Sequence, residues 1–197
     1  MIDREASQVR QTAETDIRVA LRLDGGGADT IDTGVPFFDH LLASFARHSG
    51  IQLTVRCTGD LHVDDHHSVE DTAILIGRCL DDALGERRSI VRFGSCYAPL
   101  DEALVRAVVD LSGRPYARID IPWRRPTIGG MAMENVGHAL ATLATAARMC
   151  LHVDTLFGDN DHHKAEAAFK AVALALRDAI AIRPDQQDRV PSTKETL

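Results

Sequence analysis

The chain predicts an α+β fold made of two duplicated two-layer α/β half-domains, each a mixed sheet with two helices on one face. Three observations predict it. Asp65-His66-His67-Ser68-Val69-Glu70 returns 96 residues later as Asp161-His162-His163-Lys164-Ala165-Glu166. At the same offset, Leu80-Asp81-Asp82-Ala83-Leu84 returns as Leu176-Arg177-Asp178-Ala179-Ile180, and upstream His40 has a counterpart in His138. Each half then runs through strand-like and helix-like segments in the same coarse order, the signature of a duplication.

In the first half, Ile17 to Leu23 alternates apolar and polar residues and reads as a strand, with Asp24-Gly25-Gly26-Gly27 as its turn. Asp32 to Phe38 leads into a helix from about Phe38 to His48, for which Gly50 is a stop signal. Ile51 to Cys57 is a second alternating strand, and a second helix is expected from His66 to Leu84, ending at Gly85. In the second half, Leu104 to Leu111 and Tyr116 to Ile121 read as strands, separated by Ser112-Gly113-Arg114-Pro115. Helices are expected over Glu134 to Ala147 and Asp161 to Ile182, with a strand over Arg148 to Asp154. Strands mixed with two helices per half place the helices on one face of each sheet. The expected division is 1–92, 93–183 and a C-terminal tail 184–197. That last stretch is polar and proline-containing, and composition alone reads it as disordered.

At 197 residues the chain can bury a full core. A formal charge of −7 argues against broad binding to nucleic acid or anionic membranes, either of which needs a basic field. The start, Met1-Ile2-Asp3-Arg4-Glu5, is too polar for a signal peptide, and the apolar stretch Ala139 to Leu151 is too short to span a bilayer. Cys57, Cys79, Cys96 and Cys150 have no paired spacing, so reduced thiols and a cytoplasmic location are expected.

The histidines carry the chemical signal. His66 and Glu70 lie four apart on a predicted helix and share a face; His162 and Glu166 repeat the arrangement. His67 and His163 stand about 100° around the helix from their neighbours, so they address a different site. Adding His40 and His138 supplies three histidines and one glutamate for each of two ions. Such nitrogen and carboxylate sets suit manganese, iron or zinc without ranking them. A helix start rich in Asp64, Asp65 and Glu70 also suits a solvated, capped helix end. The duplicated motif favours metal. His62 and His152 fall outside the pattern.

Longer motifs extend this reading: Asp32-Thr33-Gly34-Val35-Pro36-Phe37-Phe38-Asp39-His40, Gly59-Asp60-Leu61, Asp64-Asp65-His66-His67-Ser68-Val69-Glu70-Asp71 and Pro99-Leu100-Asp101-Glu102-Ala103-Leu104. They continue in Asp110-Leu111-Ser112-Gly113-Arg114-Pro115, the segment Asn160 to Ala171, and Pro191-Ser192-Thr193-Lys194. On these residues the chain resembles the imidazoleglycerol-phosphate dehydratase family over nearly its whole length. It departs from the family where Ala139-Leu140, rather than an aromatic pair, follows His138, and where Glu195 rather than Gly follows Lys194.

The resemblance implies two manganese ions per active site, with other divalent transition metals as alternatives. It also implies trimers packed into a homo-oligomer of 24 subunits, with active sites between subunits. One ion would take His40, His67, His162 and Glu166, and the other His66, Glu70, His138 and His163. The residue pattern alone leaves open which of His67 and His163 crosses to which site. The implied activity is a lyase of histidine biosynthesis that dehydrates imidazole glycerol phosphate to imidazole acetol phosphate through an imidazolate. Glu14 would be the acid/base group and His48 a second catalytic and substrate contact, although a helix-end histidine is also a dipole partner. His40, His66, His67, Glu70 and His162 would also contact the substrate. Arg92, Arg114, Lys170, Ser192 and Lys194 would hold the phosphate, with Lys170 on the helix face of His162 and Glu166. A two-metal phosphohydrolase and a metal-storage shell are the competing readings. Free phosphate as product would mark the first, and metal uptake without need of Arg92, Arg114 and Lys194 the second.

Overall fold

The computed structural model describes residues 4–25, 30–186 and 188–197, with residue 186 as backbone alone. The expected turn at Asp24 to Gly27 therefore lies partly outside the described residues. The first half runs β1 (Glu5–Gln11), β2 (Thr15–Arg22), β3 (Thr30–Asp32), α1 (Pro36–Ser49), β4 (Gln52–Gly59) and α2 (His66–Leu84). The second runs β5 (Phe93–Leu100), β6 (Ala103–Asp110), β7 (Tyr116–Asp120), a two-strand ribbon of β8 (Thr127–Ile128) and β9 (Met131–Ala132), α3 (Met133–Ala146), β10 (Cys150–Phe157) and α4 (Asp161–Ile180).

The sheet orders, β1-β2-β4-β3 and β5-β6-β10-β7, are the same arrangement drawn twice. In each sheet the last-formed strand is antiparallel to its hairpin neighbour and parallel to the short edge strand. The fold is α+β with two mixed-sheet halves, as the duplicated pattern predicts. The helices of each half lie on one face of its sheet, and they also pair across the halves, α1 with α4 and α2 with α3. One hydrophobic core therefore runs through both halves, from Ile17, Val19 and Leu21 of β2 to Val105, Ala107 and Val109 of β6. Burying each large side chain in it, such as Phe38, Phe45 or Phe169, contributes about 1.5–3 kcal/mol. The α2–α3 contact is close enough that a Cβ on Gly77 would lie 2.6 Å from the Leu143 carbonyl oxygen and 2.6 Å from Ala146 Cβ, so only glycine fits there.

Beside the short β8–β9 ribbon, three further strands escape the sequence pattern for identifiable reasons. The inward face of β1 carries Gln8, which donates to Asp82, and Arg10, which pairs with Asp71 at 3.1 Å, so polar contacts to α2 replace the apolar alternation. β5 presents small residues inward because α4 approaches it; a Cβ on Gly94 would sit 1.9 Å from the Ala175 carbonyl oxygen. β3 is too short, at 3 residues, to show a period. At the other end, α4 stops at Ile180, and the expectation of helix to Ile182 is corrected. Ile182 instead bridges Ile90, and the Arg183 amide donates to the Ser89 carbonyl at 2.7 Å.

The tail is not loose. The Ser89 amide donates to the Arg189 carbonyl at 2.8 Å, Arg88 donates to the Asp188 carbonyl at 2.8 Å, and Arg92 donates to the Pro191 carbonyl at 2.8 Å. Its polar composition, read as disorder, instead supplies backbone acceptors to a basic strip at residues 88–92.

Candidate metal and substrate site

α2 and α4 begin at equivalent places, and each presents His-His-x-x-Glu from its first turns. The Asn160 side chain caps α4 by accepting from the His162 amide at 2.9 Å; at α2 the cap residue Asp65 makes no such bond, and Asp64 ahead of it accepts from the His66 amide at 2.8 Å. Helix pairing across the halves then brings the third ligand. His40 of α1 meets His162 and Glu166 of α4, and His138 of α3 meets His66 and Glu70 of α2. In each trio the potential ligand atoms lie within 4.8 Å of one another. His40 Nε2 and His162 Nε2 reach Glu166 Oε1 at 3.0 and 2.8 Å, and His138 Nε2 reaches Glu70 Oε1 at 2.9 Å.

The donor chemistry of these trios fits a divalent cation. Asn135 donates through Nδ2 to the Asp65 carboxylate at 3.0 Å, so its Oδ1 faces His66 Nδ1 at 3.2 Å as an acceptor. His66 must then carry its proton on Nδ1. In the neutral ring that leaves the Nε2 lone pair facing Glu70 Oε2 at 3.9 Å. A lone pair opposed to a carboxylate is an arrangement that a cation satisfies, with Asn135 orienting the ligand ring from behind.

His67 and His163 stand apart from both trios. His67 Nδ1 lies 3.0 Å from Asp60 Oδ2, and its Nε2 is 3.8 Å from Glu14. His163 Nδ1 lies 2.7 Å from Glu102 Oε2, and Glu102 also accepts from the Asn160 amide at 2.8 Å. In both, a carboxylate holds Nδ1 and leaves Nε2 directed elsewhere. The hydrogen bond from His163, followed by the Asn160 amide, draws the Glu102 carboxyl down to about 2. Asp60, Glu102 and Asn135 were given no role from sequence, although Asp60 and Glu102 fall within the motifs quoted above. The signal that finds them is physical: an imidazole that offers one nitrogen to a metal needs an acceptor for the other.

Glu166 is the most engaged carboxylate of the site. Burial would raise it, but Lys170 at 2.8 Å, then His40 and His162, outweigh that and bring it down to about 2. His48 ends α1 beside this group. Burial, then the charges of Lys170, Arg47 and Arg177, lower its imidazole against an opposing pull from Glu166, which favours the neutral ring. On the other face, a hollow of about 640 Å³ opens beside His66 and His138, walled by Ile119, Ile121 and Trp123.

Comparison with known proteins decides the family. The family model described as imidazoleglycerol-phosphate dehydratase matches residues 33–176. The chain belongs to the imidazoleglycerol-phosphate dehydratase family. The dehydratase of Salinibacter ruber is 54% identical over 98% of this chain and 96% of its own, and that of Roseobacter denitrificans 52% identical over 98% and 100%. Crystal structures of the Staphylococcus aureus and Pyrococcus furiosus enzymes superpose with TM-scores of 0.83 each. They are 34% and 37% identical, over 90% and 96% of this chain and 99% and 100% of theirs.

The residues expected from sequence to hold a phosphate fall in two places. Lys170 lies at the α4 trio. Arg92, Arg114, Ser192 and Lys194 do not. Arg92 is held by Asp110 at 2.7 and 3.1 Å and by the tail, and its amide donates to the Ala179 carbonyl at the far end of α4. From Glu166 to Ala179 the helix rises roughly 20 Å. Arg114 is exposed beside Ser112, and Lys194 is exposed with its amide donating to Ser192 Oγ at 3.2 Å. One chain thus carries the His40–His162–Glu166 trio at one end of α4 and the arginine–tail group at the other. Glu14 is exposed on the β1–β2 turn, beside His67.

Proposed function

We propose that this chain is a lyase of histidine biosynthesis that removes water from imidazole glycerol phosphate to give imidazole acetol phosphate. The observation that carries the reading is the pair of His-His-Glu trios, each built from one helix of either half, in a chain of this family. Two divalent cations, manganese first among them, would be held by His40, His162 and Glu166 and by His66, Glu70 and His138. His67 and His163 would complete the sets from neighbouring subunits. Two observations support this crossing: neither histidine joins a trio of its own chain, each being held at Nδ1 by a carboxylate, and the arginine–tail group lies roughly 20 Å from the α4 trio of its own chain. When bound, the cations supply the positive charge that stabilises an anionic imidazole ring.

The chain's own groups carry the remaining work. Glu14, exposed and beside His67, takes the carbon-bound proton, which leaves with the hydroxyl of the adjacent carbon as water; the resulting enol becomes the ketone by moving its own O–H proton to carbon. His48, favoured as a neutral ring, contacts the substrate. Arg92, Arg114, Lys170, Ser192 and Lys194 bind the phosphate, with Asp110 fixing the Arg92 guanidinium in plane. The assembly is a homo-oligomer, 24 subunits built from trimers, in the cytoplasm. Among the described residues no helix is long and apolar enough to cross a membrane. Residues 1–92 and 93–183 are the two copies of the duplication, and 184–197 the tail that closes on the phosphate. Incubation with imidazole glycerol phosphate and manganese, with ketone and free phosphate both followed, tests the reading. Ketone formation supports it, and free phosphate without ketone overturns it in favour of a hydrolase.

A further inference from the structure

The two trios are copies, so any residue that differs between them tells what each copy has been made to do. Two differences bear directly on the ligands. Four residues beyond Glu166 on α4 stands Lys170, whose Nζ lies 2.8 Å from Glu166 Oε2. The same position on α2, four beyond Glu70, is Ile74, packed against the core. Three residues before His138 on α3 stands Asn135, whose Oδ1 accepts from His66 Nδ1 at 3.2 Å. Three before His40 on α1 stands Phe37, whose ring lies 5.0 Å from that of His162 and offers it no hydrogen bond.

We infer that the two metal positions are unequal by construction, the His66–Glu70–His138 position holding its ion more tightly than the His40–His162–Glu166 position. Both differences act in the same direction. An acceptor behind His66 raises the basicity of the ligating nitrogen, and removing such partners costs ~10–100-fold in metal affinity. Lys170 occupies one oxygen of Glu166 and adds a like charge close to the ion that Glu166 would hold. The weaker position is also the one nearest a fixed cation, so it can exchange or adjust its ion while its twin stays filled. This rests on the two-metal reading above.

The test is metal content, not turnover. The native assembly is loaded with manganese and dialysed against graded chelator, and metal per chain is counted by elemental analysis. The expected result is release in two steps separated by about tenfold or more in free metal, with a plateau near one ion per chain. Lys170→Ile, which gives α4 the residue of α2, moves only the weak step and narrows the gap. Asn135→Ala moves only the tight step. Lys170→Gln, similar in length and uncharged, serves where the isoleucine variant fails to assemble. Release of both ions in a single step from the unaltered chain, or movement of the tight step by either Lys170 variant, overturns the inequality. A chain that holds no manganese at all sinks the two-metal reading instead.

Discussion

Glu166 answers to four groups at once: Lys170, His40, His162 and, when present, a cation. Its lowered carboxyl has a consequence for the metal-free chain. A group depressed in the folded state contributes stability that is present above its unfolded value near 4.5 and lost as pH falls through the folded value of about 2. The melting temperature of the chelated protein should therefore drop more between pH ~5 and ~2.5 than that of Glu166→Gln, which has no such charge to lose. Equal slopes would show that the ion pairs at Glu166 add nothing. His67 and His163 make a second residue-scale case, since each is anchored by a carboxylate through Nδ1 and contributes to no trio of its own chain. His67→Ala and His163→Ala should each abolish turnover and lower bound metal. Retention of two ions per chain with full activity in either variant would rule out the crossed arrangement.

At the scale of elements, the N-terminus of α4 is set by a buried pair that the motif conceals. Lys164 sits between His163 and Ala165, is 1% exposed, and pairs at 2.7 Å with Asp161, itself 1% exposed. Asp161 also accepts from the Arg124 and Arg125 amides at 2.9 and 2.6 Å, which pins the segment after β7 to the helix start. Lys164→Ala leaves the Asp161 charge buried with fewer partners and should cost about 3–5 kcal/mol in denaturant unfolding. A cost under about 1 kcal/mol would mean that the two amides suffice. The tail is the second element with a prediction. It is docked along residues 88–92 before any substrate arrives, and Pro191 restricts the chain just ahead of Ser192, so little entropy remains to be lost when Lys194 meets a phosphate. Lys194→Ala should raise the Michaelis constant severalfold while leaving metal content unchanged, and truncation after Val190 should raise it further. Ordinary kinetics in the truncated enzyme would leave the phosphate to Arg92, Arg114 and Lys170.

For the whole molecule, the proposed function has both trios and the arginine–tail group completed by neighbouring subunits. Ions shared between subunits link assembly to metal by mass action, so chelation should favour smaller oligomers. Light scattering before and after chelator reads this directly, and an unchanged large particle would show that protein interfaces hold the assembly without metal. The duplication supplies the geometry for sharing. Because α1 packs on α4 and α2 on α3, each trio straddles the two halves, and the second histidine of each motif is left over to serve elsewhere.

Much of this was legible before any fold was known. The 3.6-residue period places His66 with Glu70 and His162 with Glu166 on common faces and turns His67 and His163 away, because that depends only on local helix geometry. The repeat itself announced two equal halves with the same order of strands. What local pattern could not hold was everything that depends on which helix lies beside which. Pairing of α1 with α4, rather than with α2 of its own half, is what puts His40 on Glu166 and His138 on Glu70. The partners behind the proposed ligands, Asn135 for His66, Asp60 for His67 and Glu102 for His163, lie 69, 7 and 61 residues away along the chain. Strand β1, with Gln8 and Arg10 turned inward onto acids of α2, was invisible for the same reason. Hydrophobic period reports burial against an apolar neighbour, whereas these positions are decided by single polar contacts that exist only once the helices and sheets have packed.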